Sequence, residues 1–262
     1  MADLDAAKVD DVKDFFRIYY APNNAVLALV GDLDPQETLE KVKKYFAAIP
    51  SQPAPPKVDL AEPEHYGERR ELIYDPLARL PQLLISYHIA PGDTPANIQV
   101  QVLANILGVG QSSRFYQHLV KDKQLAVSIM VQAEARIGPS LLYIIATPRP
   151  GVQPEDLEKA IYAEIEAVQK DGVTTQEIEK ARTQYLRSQI QSRQSSLFTA
   201  MRLGQYAVYF NDPDLINTIF DKFNTVTAEQ VKQAAQKYLV ASARAVVTTL
   251  PASARAKSAA GR

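Results

Sequence analysis

The chain has 262 residues and carries 29 basic against 30 acidic side chains, for a formal net charge of −1. This balance gives no basic surface for nucleic acid, and no apolar run reaches the ~20 residues that would span a bilayer. The chain has no cysteine, which excludes disulfides, thiolate nucleophiles and cysteine-bound zinc. Both the bacterial periplasm and the cytoplasm remain possible compartments.

The first 50 residues are predicted to end in a strand and a helix. The apolar run Val26–Val30 is typical of a short buried strand. Asp34 is a good helix N-cap, Pro35 suits the first helical position, and Glu37 would complete a capping box. We therefore assign residues 1–50 to the end of one domain.

A proline-rich stretch from Pro50 to Pro63 follows this helix. Prolines at this density cannot continue a helix and favour an extended linker. We place a linker at residues 51–66, a second domain at residues 67–251, and a disordered tail at residues 252–262.

Within the second domain, "RRELIYD" and "PQLLISYHIA" are predicted strands, and the latter alternates apolar with polar residues. The segment "TPANIQVQVLANILG" is a predicted helix that ends at Gly108. Two antiparallel strands around Gly138–Pro139 come next, followed by an amphipathic helix and a helix that begins at a capping box of Thr174 and Glu177. Two more helices and a final strand, "ARAVVTTLP", complete the domain. This order predicts an α+β fold with helices on one face of a mainly antiparallel sheet.

Known catalytic motifs are missing from the sequence. The three histidines, His65, His88 and His118, show neither the HExxH nor the HxxEH spacing of zinc hydrolases. The segment "GVGQSS" is not the GxSxG of a serine hydrolase, and no Walker or G-x-G-x-x-G motif occurs. Solvated or hydrogen-bonded histidines are the simpler interpretation. The residues alone therefore indicate an α+β protein without a self-sufficient active site.

Several separated stretches resemble the pitrilysin-type (insulinase-like) zinc metallopeptidases. The first resembles the family's Y-x-P-N-N, apolar strand and G-D-x-D-P, through Tyr20, Pro22, Asn23, Asn24, Gly31, Asp32 and Pro35. The second, "ANILGVGQSSRFYQHLVKDKQLAVSIMV", resembles the family's I-L-G, glycine loop and S-S-R-L-Y. The similarity runs from about Val12 to Pro251, with order and spacing kept.

The resemblance implies a second, zinc-free domain together with the end of a first domain. In the family, paired domains enclose a peptide-cutting chamber, and the first domain holds zinc through HxxEH and a downstream glutamate. The expected partners are therefore a peptide substrate, the first domain of the same protein and a second homologous subunit. No cofactor is expected in this chain, because the zinc would be bound in the first domain.

The chain departs from the family pattern at two positions. Many zinc-free family domains contribute an arginine and a tyrosine that hold the substrate. If Leu119 aligns with the family's leucine, Val120 and Val127 occupy those two positions. A valine side chain neither donates a hydrogen bond nor carries charge, so we assign no catalytic residue.

The glycine loop after the predicted helix has two interpretations. It is a turn from Gly108 to a new helix capped by Ser112 or Ser113, and it also corresponds to a family loop that faces the chamber. Two glycines permit close backbone approach to a peptide. The candidate substrate-binding residues are therefore Gly108, Gly110, Ser112, Ser113 and Arg114, although a salt bridge is the simpler expectation for Arg114.

Three functions remain open for the chain. The first is the noncatalytic half of a zinc endopeptidase subunit, inactive alone and built for association. The second is a nonenzymatic assembly protein of the same family, and the third is a free-standing peptide-binding module.

Overall fold

The computed structural model describes residues 2–62, 67–92 and 94–254. The chain divides into two compact units, which we call the N-terminal unit (residues 1–59 and 189–217) and the sheet unit (residues 60–188 and 218–262). None of the helices among the described residues is long and apolar enough to cross a membrane.

The sheet unit is built on five strands: β1 Arg69–Asp75, β2 Gln82–Ile89, β3 Ala126–Ala133, β4 Ser140–Pro148 and β5 Arg244–Pro251. Their order in the sheet is β1-β5-β2-β4-β3. Strand β2 runs antiparallel to β4 and β5, and β3 runs antiparallel to β4. The predicted α+β fold with a mainly antiparallel sheet is confirmed.

One strand pair is parallel, which the sequence did not indicate. Strand β5 lies between β1 and β2, parallel to β1 and antiparallel to β2. Because β1 and β2 run in opposite directions, a strand inserted between them has to be parallel to one of the two.

The core lies on one face of the sheet. Alternate residues of β2 are buried, as the period of two predicts, and β4 does the same. Three helices pack on the sheet: α4 Pro95–Gly108 lies against β3, and α5 Pro154–Asp171 and α9 Ala228–Tyr238 lie close to β2. Helix α9 also contacts both α4 and α5.

The last residue of helix α4, Gly108, lies directly against β3. A Cβ on Gly108 would lie 2.3 Å from Val131 Cγ2 and 2.8 Å from the Val131 backbone nitrogen. The helix start is fixed by the buried Asn97, whose Nδ2 donates to Ala90 O at 2.8 Å and to Glu134 O at 2.9 Å. Glycine at 108 therefore sets how closely α4 approaches the sheet.

The helical run after β4 contains one helix more than predicted. Helix α6 spans Thr175–Arg193, and α7 Ser196–Phe210 and α8 Leu215–Asn224 precede α9. The capping boxes at Thr174 and Thr227 are formed. Helix α7 ends at Asn211 in a left-handed conformation, and Pro213 follows, so the chain starts a separate helix.

The N-terminal unit contains α1 Ala2–Ala6, α2 Val9–Tyr19 and α3 Pro35–Phe46. Asp34 caps α3 as predicted, accepting from Gln36 N at 2.9 Å and Glu37 N at 2.8 Å. The predicted capping box is wrong for Glu37, whose carboxylate instead pairs with Lys41 Nζ at 2.6 Å.

The strand predicted over Val26–Val30 is not formed among the described residues. Residues 25–30 belong to no helix or strand, and Val26, Leu27 and Leu29 are about half exposed. A strand needs a hydrogen-bonding neighbour, and among the described residues no strand runs beside this segment.

Residues 51–62 form no helix or strand, and the rest of the predicted linker, including His65, lies outside the described residues. Asn23 holds the start of this stretch, because its Nδ2 donates to Gln52 O at 2.8 Å and its Oδ1 accepts from Gln52 N at 3.1 Å. Residues 252–254 are helical, and positions 255–262 of the predicted disordered tail lie outside the described residues. The domain boundaries stay a prediction.

Replacing Gly108 with alanine should destabilise the protein by about 1–3 kcal/mol, because the added methyl group overlaps Val131. Urea unfolding measures the change. Gly204→Ala is the matched control: no atom lies within 4 Å of its Cβ position inside α7, so it should stabilise by about 0.5–1 kcal/mol. Equal stability of Gly108→Ala and the parent would contradict the close approach of α4 to β3.

Candidate functional site

The glycine loop, Gly108 to Ser113, begins where α4 meets the edge strand β3. Residues 109–112 are exposed, and Gly110 has a φ of +76°, a backbone conformation that favours glycine. Beyond the loop, the chain enters a π-helix over Tyr116–Asp122. The loop is therefore an exposed turn between two packed elements.

The two serines of the loop have different positions. The side chain of Ser113 is buried, and its hydroxyl donates to Gly110 O at 2.8 Å, which closes the turn. The Ser112 hydroxyl is exposed and accepts from Gln184 Nε2 at 3.3 Å. The hydroxyl bonds formed here stabilise the loop, in place of the helix cap that the sequence predicted.

Arg114 forms a salt bridge inside the sheet unit. Its Nη2 donates to Glu177 Oε2 at 2.9 Å and to Gly172 O at 3.1 Å. Both side chains are largely buried, with exposed fractions of 17% and 16%. Arg114 therefore forms the salt bridge that was the simpler expectation for it, and its partner, Glu177, lies 63 positions later in the chain.

Glu177 connects this salt bridge to the start of α6. Its carboxylate accepts from Thr174 N at 2.8 Å as well as from Arg114. Burial alone would raise the pKa of Glu177, but the hydrogen bonds from Arg114 and Thr174 outweigh it and lower the pKa to about 2. The carboxylate is therefore ionised throughout the neutral range.

The two described histidines lie apart, each beside a carboxylate. His118 Nδ1 is 2.7 Å from Glu164 Oε2, and Lys123 Nζ is 3.3 Å from the other oxygen of that carboxylate. His88 Nδ1 is 3.4 Å from Glu62 Oε2. The hydrogen-bonded interpretation of these histidines agrees with this geometry.

The two valines at the family's arginine and tyrosine positions differ in exposure. Val120 is buried in the π-helix, whereas Val127 on β3 is half exposed. Neither supplies a polar group to the surface beside the glycine loop.

A second polar cluster joins β1, β5 and α5. Arg70 Nη1 donates to Glu158 Oε2 at 3.1 Å, and the Tyr162 hydroxyl donates to Glu158 Oε1 at 2.5 Å. Glu68 pairs with both Arg70 and Arg244. The two arginine charges balance the two glutamate charges. Because Glu158 lies on α5 and Arg70 on β1, the cluster connects α5 to the edge strand of the sheet.

The described residues include no group that fits a zinc ion. Across residues 2–62, 67–92 and 94–254, no group of three histidine, aspartate or glutamate side chains is arranged to hold a metal.

Glu177→Gln should destabilise the protein by about 2 kcal/mol at neutral pH, because Arg114 loses its charged acceptor. A lowered pKa means that the carboxylate stabilises the fold above its ordinary value of 4.5, and that this contribution disappears as the pH falls toward 2. Urea unfolding of variant and parent should therefore converge across that interval. Glu179→Gln, at an exposed pair with Arg182, is the control and should cost about 0.5 kcal/mol or less. A pH-independent difference for Glu177→Gln would refute this role.

Comparison with known proteins places the fold in a family. The family model described as the peptidase M16 inactive domain matches residues 6–185. Zinc protease PqqE of Helicobacter pylori is 28% identical over 210 residues, which cover 79% of this chain and 47% of that protein. The zinc protease YmxG of Bacillus subtilis, described as uncharacterized, is 22% identical over 87% of this chain and 54% of its own length. The chain thus spans about half the length of the curated relatives it matches.

Solved structures agree with this assignment. A crystal structure of a protease from Helicobacter pylori covers 96% of this chain and 61% of its own, with a TM-score of 0.89 and 25% identity. The peptidase M16 inactive domain from Pseudomonas fluorescens shares the fold, with a TM-score of 0.72 at 21% identity over 84% of this chain and 52% of that one. The resemblance to pitrilysin-type peptidases is confirmed: this chain belongs to the peptidase M16 family and carries its inactive domain.

Proposed function

We propose that this chain is the chamber-forming, substrate-handling half of an M16-type zinc endopeptidase subunit, whose catalytic zinc is bound by residues outside these 262. The observation that carries the proposal is the uncovered apolar surface of the N-terminal unit in a chain of this family. The zinc, where it binds, would lower the pKa of a bound water toward ~7. The residues of this chain would bind and enclose the peptide.

The uncovered side chains, which we call the apolar face, belong to one side of α2 and to residues 25–30 after it. Its members are apolar side chains with exposed fractions near one half: Val12, Phe15, Phe16, Val26, Leu27 and Leu29. Several large apolar side chains left exposed in one compact unit are typical of an interaction surface. We assign this face to contact with the first domain of the same protein.

Substrate handling is assigned to the glycine loop. Its residues 109–112 are exposed at the end of α4, beside the edge strand β3. In this proposal the backbone from Gly108 to Ser112 contacts an extended peptide, while Ser113 and Arg114 support the loop from below through Gly110 and Glu177. The proposal includes a second homologous subunit, which would supply the arginine and tyrosine that Val120 and Val127 replace.

The same two valines favour a second candidate function, in which the protein is a nonenzymatic assembly relative. A peptidase without the family's arginine and tyrosine would bind its substrate more weakly. An assembly protein needs neither side chain. The two functions differ in whether the full-length protein, alone or with its partner subunit, hydrolyses peptides.

The full-length protein should cleave a mixture of quenched fluorescent nonapeptides, with its partner subunit where one is needed. Phenanthroline should abolish the cleavage and added Zn²⁺ should restore it, because hydrolysis depends on the metal. The 262-residue chain alone should give no signal above buffer.

Cleavage by the 262-residue chain, or cleavage that persists in phenanthroline, would contradict the proposal that hydrolysis depends on a zinc ion bound outside these 262 residues. A full-length protein and partner that cleave no peptide would favour the assembly function instead.

A further inference from the structure

Three side chains along one stripe of α6 face the glycine loop and the residue after it. They are Glu177, Lys180 and Gln184, spaced three and four positions apart, so they lie on the same side of the helix. Glu177 bonds Arg114, Lys180 Nζ donates to the Ser112 carbonyl oxygen, and Gln184 Nε2 donates to the Ser112 hydroxyl at 3.3 Å. We call these three residues the α6 stripe.

The loop needs such contacts to keep one conformation. Glycine backbones lose more conformational freedom on ordering than any others, and two glycines lie within these six residues. The residues from Val109 to Ser112 are exposed, so core packing does not restrain them. Gln184 Nε2 also lies 3.4 Å from the Cβ position of Gly110, so the stripe touches the loop at its left-handed residue as well.

The three residues of the α6 stripe have two different roles: Glu177 stabilises the fold, whereas Lys180 and Gln184 contact only the glycine loop. Glu177 and Arg114 are largely buried and stabilise the fold as a whole. The bonds of Lys180 and Gln184 to Ser112 are exposed and reach only the loop. Exposed contacts contribute little to global stability, so the value of these two side chains lies in the conformation that they select.

We propose that Lys180 and Gln184 are positioning residues that hold the glycine loop in the conformation that binds an extended peptide. This inference rests on the proposed substrate-handling function. A loop that is ordered before binding spares the peptide the entropic cost of ordering it. Removing both side chains should therefore weaken peptide binding and leave the fold intact.

The test uses the full-length protein, treated with phenanthroline so that the peptide stays intact, and fluorescein-labelled unfolded casein as the probe. Lys180→Ala/Gln184→Met should weaken casein binding about threefold to tenfold in fluorescence anisotropy. Amide hydrogen exchange of residues 109–112 should become faster, while the melting temperature should stay within about 2 °C of the parent. Lys180→Arg keeps a cationic donor and should bind casein as the parent does.

Glu179→Gln is the matched control, because it changes an exposed side chain of the same helix that lies one, two and five positions from the stripe residues and therefore off the stripe. It should bind casein as the parent does. Unchanged casein affinity in Lys180→Ala/Gln184→Met, despite faster loop exchange, would overturn the inference alone. A parent protein that does not bind casein would overturn peptide handling itself, and the inference with it.

Discussion

An apolar segment without a neighbouring strand is the constraint on which this account depends. Residues 25–30 have the composition of a buried strand, yet most of them are exposed and they pair with no strand of the described sheet. Exposed backbone polar groups can bond water, but exposed Val26, Leu27 and Leu29 lose the free energy that burial would provide. The aromatic side of α2 in the same unit, with Phe15 and Phe16, is also about half exposed. We therefore infer that the N-terminal unit becomes fully packed only against another part of the assembled protein.

The sheet unit, in contrast, satisfies its own interactions. Its central strands bury alternate side chains, and Gly108 lets α4 lie in direct contact with β3. That contact places the glycine loop at the sheet edge, where the salt bridge of Arg114 and Glu177 and the bonds to Ser112 hold it. The fold thus supplies a rigid base for an exposed loop, an arrangement that suits ligand binding without any catalytic group.

Local sequence patterns predicted much of this fold. The alternation in β2, the caps at Asp34 and Thr174 and the end of α4 at Gly108 are each decided by neighbouring residues. The role of Glu37 and the end of α7 were missed although neighbouring residues decide them. The other errors arise where distant residues decide. The segment Val26–Val30 has strand composition, but pairing depends on a neighbour that local pattern cannot supply. The partner of Arg114 lies 63 positions away, and the contacts of α6 with Ser112 span 68 and 72 positions. The helical period of α6 identifies such a stripe, but only the tertiary fold shows what it faces.

Amide hydrogen exchange of residues 25–30, measured in the 262-residue chain and in the full-length protein, shows whether another part of the protein covers this segment. We expect fast exchange in the chain alone and strong protection in the full-length protein, because the segment becomes a paired, covered strand there. Exchange of β2 and β4 should be equally slow in both, which provides an internal reference. Fast exchange of residues 25–30 in the full-length protein would contradict the account, since the apolar face would then have no covering partner.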